Sequence, residues 1–151
     1  MIDTYGEQIE KLEEKIERKV LESSAAAGLL AIPGVGQYTA AVIAAEVGEI
    51  DRFDKDKQLV SYAGLDPVVH QSGDKEVRGS ISKEGSAPLR WALVLCANIA
   101  VRCDEYFGNF YTVETEENHQ IAIVATARKM LVSIFHLLTR KEPYDPPEVS
   151  V

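Results

Sequence analysis

The chain has 151 residues, 46% of them hydrophobic and 26% charged, enough for one domain with a real core. A net charge of −8 and a pI near 4.9 exclude a surface that grips nucleic acid by bulk attraction, so any such contact must use a local patch. Two cysteines and three scattered histidines suggest no metal-ligand cluster. No signal peptide or apolar run of membrane length is expected, so no membrane partner, and a cytoplasmic location follows by default.

Residues 1–28 are expected to form a coiled-coil-like helix. Ile2, Tyr5, Ile9, Leu12 and Ile16 recur at spacings of three and four, a narrow apolar stripe. Glu7 with Lys11, and Glu14 with Arg18, stand one turn apart in the favourable order. A stripe of about three heptads is marginal alone, so a homo-oligomer through this helix is expected. Ser23 to Gly28 is small and polar, a place for a bend.

Ile32-Pro33-Gly34-Val35-Gly36 then reads as a tight turn between two helices. Pro33 cannot continue the first helix, and Gly34 and Gly36 allow turn conformations. The slim run Ala40 to Ala45 forms the second helix. Its exposed N–H groups suit a phosphate, with Gly34, Gly36 and Gln37 as candidate contacts. Residues 30–47 resemble the helix-hairpin-helix motif of DNA-binding proteins; the plainer alternative is a helical turn without a ligand.

Asp54 is expected to cap a short helix, Lys55 to Ala63, ended by Gly64. Asp66 to Gly85 shows no helical period and reads as an ordered loop with a short strand pair around Val68 and Val77. Ser86 caps the next helix, with Pro88 in its first turn. Leu89, Leu93, Cys96, Ala100 and Cys103 line one face, and Ala92, Leu95 and Ile99 the adjacent one, the pattern of a central core helix. Cys96 and Cys103 lie seven helical residues apart, about 10.5 Å, too far for a disulfide, and read as buried thiols. A shorter segment from Tyr106 to about Glu117 leads to a last helix, Gln120 to Thr139, buried along Val124, Ala127, Leu131, Ile134 and Leu138. Arg128 and Lys129 fall on a solvated side. The tail beyond residue 144 is expected to fray. The fold class is all-α.

Four ordered landmarks carry a resemblance over roughly residues 29–144: Leu30-Ala31-Ile32-Pro33-Gly34-Val35-Gly36; Leu59-Val60-Ser61-Tyr62-Ala63-Gly64-Leu65-Asp66-Pro67; Ser72-Gly73 through Arg78-Gly79-Ser80-Ile81-Ser82-Lys83-Glu84-Gly85 to Leu89-Arg90; and Ala125-Thr126-Ala127-Arg128-Lys129-Met130-Leu131. Together they resemble the C-terminal domain of the insertion-sequence 110/116/902-type DEDD transposases, also called bridge recombinases. The resemblance implies a DNA recombinase. Its N-terminal RuvC-like domain would hold magnesium on an acidic tetrad, and a coiled coil would lead into the present domain. The chain would then be a C-terminal portion without that metal-binding half, requiring no cofactor of its own. The family implies DNA as partner, a structured guide RNA as a second one, and a serine nucleophile that falls by position on Ser72. Gln71 stands where family members commonly carry another serine.

A serine hydroxyl needs activation to attack a phosphodiester. Lys75, Arg78, Lys83 and Arg90 follow Ser72 and are candidate phosphate contacts, since arginine holds phosphate oxygens bidentately and stabilises charge developing during displacement. Asp74, Glu76 and Glu84 dilute them to one excess positive charge. Attack would leave a phosphoserine that a strand end could later reverse. Other readings are a non-catalytic nucleic-acid-binding and oligomerisation module, in which Ser72 is an ordinary turn serine, and a protein-interaction scaffold built on the first helix.

Overall fold

A computed structural model describes the backbone of residues 2–72, 75–114 and 118–145, with side chains for all of these except residues 2–3, 68–72, 75–80 and 114. The fold is all-α, carrying one two-stranded antiparallel hairpin. Seven α-helices occur in the described residues: α1 (Ile2–Glu22), α2 (Ser24–Leu29), α3 (Gln37–Val47), α4 (Asp56–Tyr62), α5 (Ala87–Cys103), α6 (Glu105–Glu114) and α7 (His119–Arg140). Strands β1 (Pro67–Ser72) and β2 (Lys75–Ile81) lie between α4 and α5.

The first helix ends at Glu22 rather than running to residue 28, and it breaks at Ser23, within the stretch where a bend was expected. Ser23 leaves helical geometry (φ −95°, ψ 114°), and its hydroxyl accepts from the Ala26 N–H to cap α2. A serine that satisfies an orphan N–H is favoured at such a break. α1 rests on α2 and α3 through its C-terminal half, where Val20 is buried and Ile16 half-buried.

The core is helical and continuous. Leu29, Ile32 and Ile43 meet Leu89, Leu93 and Cys96 of α5, and α7 adds Met130, Leu131 and Ile134, all in one buried cluster. Each fully buried Leu or Ile side chain contributes about 2 kcal/mol of transfer free energy. α7 is long and apolar enough to cross a membrane by length and composition alone, which departs from the sequence expectation. However, 56% of that window is buried inside the fold, so it is a core helix of this domain.

Two other boundaries move. Lys55, not Asp54, sits at the cap position of α4, one residue later than expected, and Gln58 Oε1 accepts from the Asp54 N–H (2.7 Å). The expected loop from Asp66 to Gly85 is mostly strand, and its pairing of His70 with Val77 matches the strand pair expected around Val68 and Val77. The two cysteines are free; Cys96 is buried but Cys103 is exposed, since α5 outruns its cover at its C-terminal end. Burial raises the Cys96 thiol pKa, only partly offset by a hydrogen bond to Thr39, so that thiol stays neutral and structural.

Candidate nucleic-acid interface

The turn between α2 and α3 is pressed against α5. Gly34 has φ +87°, and a Cβ placed there would lie 2.3 Å from the Cys96 carbonyl oxygen and 3.0 Å from the Ala100 nitrogen. Its first role is therefore close backbone approach to a core helix. Gly36 differs. It is the N-cap of α3 with φ −97°, and a Cβ added to it would meet only Thr39 Oγ1, at 4.0 Å. The residue itself is exposed.

Thr39 then takes up part of the polar chemistry at this corner. Its hydroxyl accepts from the Gly36 N–H (2.9 Å) and donates to the Gly36 carbonyl (3.1 Å). The Gly36 N–H is thus spent inside the fold, leaving the first-turn N–H groups that begin with Gln37 as the outward donors. These do not face a basic surface. Glu10, Glu13, Glu14 and Glu17 of α1 line one cleft with Gln37 and Tyr38.

The hairpin is a more independent platform. Its root is laced to the end of α4: Ser82 N donates to Asp66 O, Lys83 N to Gly64 O, and Ser86 N to Tyr62 O. Ser82 Oγ donates to Asp66 Oδ1 at 2.6 Å. Two arginines complete the clamp. Arg90 Nη1 donates to the Ala63 carbonyl (3.2 Å), and Arg128 Nε reaches from α7 to the Leu65 carbonyl (2.9 Å). Arg128 is therefore not on a solvated face, contrary to the sequence expectation, and one nitrogen of Arg90 is committed to the fold. Gly64 (φ +69°) and Gly85 (φ +109°) allow these backbones to touch; a Cβ at Gly85 would meet the Tyr62 carbonyl oxygen at 2.1 Å. Ser86 is a helix cap, as expected. Its hydroxyl accepts from the Leu89 N–H and donates to Glu46 Oε2 (2.7 Å), tying α5 to α3.

The strand register decides which candidate residues are neighbours. Ser72 pairs with Lys75, Gln71 with Glu76, His70 with Val77 and Val69 with Arg78. Alternation with period two assigns positions 70, 72, 75 and 77 to one face of the hairpin and 69, 71, 76 and 78 to the other. The register thus brings Lys75 beside Ser72 and separates Arg78 from it. Gly73 and Asp74 lie outside the described residues. Lys83 is exposed in a left-handed conformation (φ 54°) just past β2. Among the described residues no three or more His, Cys, Asp or Glu side chains converge as a metal site.

Comparison with known proteins bears on the same span. The model of the Transposase IS116/IS110/IS902 family matches residues 26–112, from α2 through the turn, the hairpin and α5 into α6. The chain belongs to this transposase family. It is 37% identical over 118 residues to the transposase of insertion sequence element IS1111A of Coxiella burnetii, covering 75% of the chain and 32% of that relative. It is 33% identical over 105 residues to the transposase of element IS1328 of Yersinia enterocolitica, covering 68% and 31%. A pilin gene-inverting protein of Moraxella bovis is 34% identical over 125 residues, covering 79% and 38%. The chain spans less than half of the length of the curated relatives it matches, from 18% to 44%.

Sequence reasoning missed the clamp at the hairpin root, which joins the matched span to Arg128 of α7. Its signal was present in the spacing Gly64…Gly85 and in Arg128. Two glycines bracketing a polar insertion mark places where backbones meet closely, and an arginine on the polar edge of a core helix is suited to reach a carbonyl.

Proposed function

We propose that this chain is the DNA-engaging C-terminal domain of a transposase, and that Ser72 is its nucleophile. The Ser72 hydroxyl oxygen attacks a DNA phosphorus and loses its proton. The bond from phosphorus to one strand oxygen breaks, and that strand leaves as a hydroxyl, leaving a phosphoserine link. A strand-end hydroxyl attacking the same phosphorus reverses the step, so the bond is conserved for rejoining. Lys75 holds the phosphate beside Ser72, with Arg78 and Lys83 contacting the backbone on either side, and Gly36 and Gln37 present a further contact at the start of α3. Arg90 supports the hairpin more than it grips DNA. The observation carrying this reading is the register that sets Lys75 opposite Ser72 on a hairpin clamped at its root.

The reading includes a metal-binding acidic domain, holding magnesium, in the longer transposase that this chain would serve, a guide RNA as second nucleic-acid partner, self-association through α1, and a cytoplasmic location with the DNA. Its test is a chimaera in which residues 26–144 replace the matching segment of the Coxiella transposase. Recombination on a two-plasmid reporter should fall roughly a thousandfold or more with Ser72→Ala, while DNA binding and folding persist. Recombination unchanged by Ser72→Ala would reject the nucleophile. The acidic cleft at α3 and the committed Arg90 favour a second reading, a non-catalytic nucleic-acid-binding and oligomerisation module. In that case DNA binding survives in a chimaera that never recombines.

A further inference from the structure

Two apolar stripes stand uncovered. On α5, Leu95 and Ile99 do not join the core as their sequence pattern suggests; with Trp91 they form an exposed row at intervals of four. Tyr38 of α3 extends that row, meeting Trp91 edge-on at a centroid distance of 6.4 Å. On α1, Tyr5, Ile9 and Leu12 project beyond the part of the helix that docks. Each of these seven side chains stays between 39% (Leu95) and 65% (Tyr5) exposed.

The two stripes fit each other. At 1.5 Å per residue, Tyr5 to Leu12 spans about 10 Å and Trp91 to Ile99 about 12 Å. They are joined within one chain, because Ile16 of α1 and Tyr38 line the same cleft. Their charges are opposite. α1 carries an acidic excess, with Glu7, Glu10, Glu13 and Glu14 outnumbering Lys11 and Lys15 along the projecting part, whereas Arg102, exposed at the end of α5, is the charged residue of that helix not engaged at the hairpin root.

We propose that α1 of one copy lies across the Trp91–Leu95–Ile99 row of a second copy, and the reverse, in a two-fold dimer. Each chain carries one projecting stripe and one receiving row, which is what a self-complementary two-fold contact requires. With about 200 Å² for a whole large apolar side chain, the exposed fractions amount to roughly 750 Å² per copy, close to the ~800 Å² per partner of a stable interface. The inference rests on the self-association of α1 proposed above and names its receptor. A nucleic-acid base stacked on Tyr38 and Trp91 fits less well. The row continues as aliphatic Leu95 and Ile99, and four glutamates line the cleft at Tyr38.

Trp91 is the only tryptophan, so it reports the contact directly. The whole chain is followed by sedimentation and Trp91 emission across a dilution series, with reductant present because Cys103 is exposed. The expected result is a dimer of 16.6 kDa chains whose Trp91 emission is blue-shifted and shielded from acrylamide, both effects being lost together on dilution. Leu12→Lys and the double variant Leu95→Glu/Ile99→Glu, checked for unchanged helical circular dichroism, should each give monomer with exposed Trp91. If Leu12→Lys gives monomer but the α5 variant remains dimeric, α1 pairs with itself: self-association survives and the proposed receptor fails. If the wild-type chain is monomeric at submillimolar concentration, both fail. If an oligonucleotide at low salt shields Trp91 in a monomer, the row is a nucleic-acid platform and the proposal is overturned.

Discussion

Gly34→Ala and Gly36→Ala separate the structural and functional parts of the turn. Gly34 sits at φ +87°, with the Cys96 carbonyl oxygen 2.3 Å, the Ala100 nitrogen 3.0 Å and the Ala100 Cβ 3.1 Å from where a methyl group would go. The left-handed conformation costs an L-residue about 1–2 kcal/mol. Overpacking against a core helix, which must move about 1 Å to relieve the overlap, adds about 1–3 kcal/mol. Alanine returns about 0.4–1 kcal/mol by restricting the unfolded chain. The expected net loss is therefore about 1–4.5 kcal/mol, or a fall in Tm of roughly 2–18 °C for a domain of this size. Gly36 is extended at φ −97°, and its nearest neighbour is at 4.0 Å. Alanine is a poorer N-cap there, but the entropy gain opposes it, so stability should change by about 0.5 kcal/mol or less. Urea unfolding of both variants, followed by circular dichroism at constant m-value, measures the difference. Equal midpoints for Gly34→Ala and wild type would refute the close packing of the turn on α5. A Gly36→Ala variant that keeps its stability but binds duplex DNA more weakly would tie a phosphate to the start of α3.

Arg128→Met removes the donor to the Leu65 carbonyl while keeping much of the aliphatic stem, and should destabilise the domain by about 1–3 kcal/mol in the same urea assay. Lys75→Glu should weaken binding of the chain to duplex DNA and lower the slope of log affinity against log salt by about 1, read by fluorescence anisotropy; unchanged affinity would remove Lys75 from the interface. Tyr144 has a buried hydroxyl with no hydrogen-bond partner among the described residues, and burial, with Asp104 nearby, pushes its pKa up from 10.0 to about 12. The fold thus favours the neutral phenol. Its stabilising contribution is complete below the unfolded value near 10 and is lost as pH rises toward 12. Tyr144→Phe should lose less stability over that window and, by removing the unsatisfied hydroxyl, be more stable than wild type by about 1 kcal/mol at neutral pH, both measured by thermal melts across pH.

The helical architecture was legible because its signals are periodic and local. The stripe of α7, the Ser86 cap and the Pro33 break all follow from spacing and backbone chemistry, and they hold in the structure. Boundaries were legible only to within a residue or two. The cap of α4 falls on Lys55 rather than on the adjacent Asp54, and Ser23 caps α2 within the stretch where a bend was expected. The hairpin was only half visible. Val68 and Val77 suggested strands, but the register that separates Arg78 from Ser72 depends on where the chain reverses, which no periodicity reports. Leu95 and Ile99 failed for another reason. A helix apolar all round looks fully buried in sequence, and only the packing partners decide which face stays open.

The charge distribution joins these observations. A chain with net charge −8 belongs to a family of DNA-acting proteins, and the conflict resolves by location. Glutamates of α1 line the cleft at the N-terminus of α3, where carboxylates stabilise the helix dipole and oppose any phosphate within a Debye length of about 8 Å. The hairpin region has no such acidic excess, because Lys75 and Arg78 in β2 and Lys83 at its exit offset Asp74, Glu76 and Glu84. A phosphate backbone approaching this domain therefore meets repulsion at the cleft and a charge-balanced surface at the hairpin. The α2–α3 corner can contribute to binding only as far as α1 is neutralised or engaged elsewhere, and in the proposed dimer a second copy receiving α1 on its α5 row would engage it. In that dimer, assembly and DNA contact would act in the same direction, because the helix proposed to build it is also the one that carries the opposing charge.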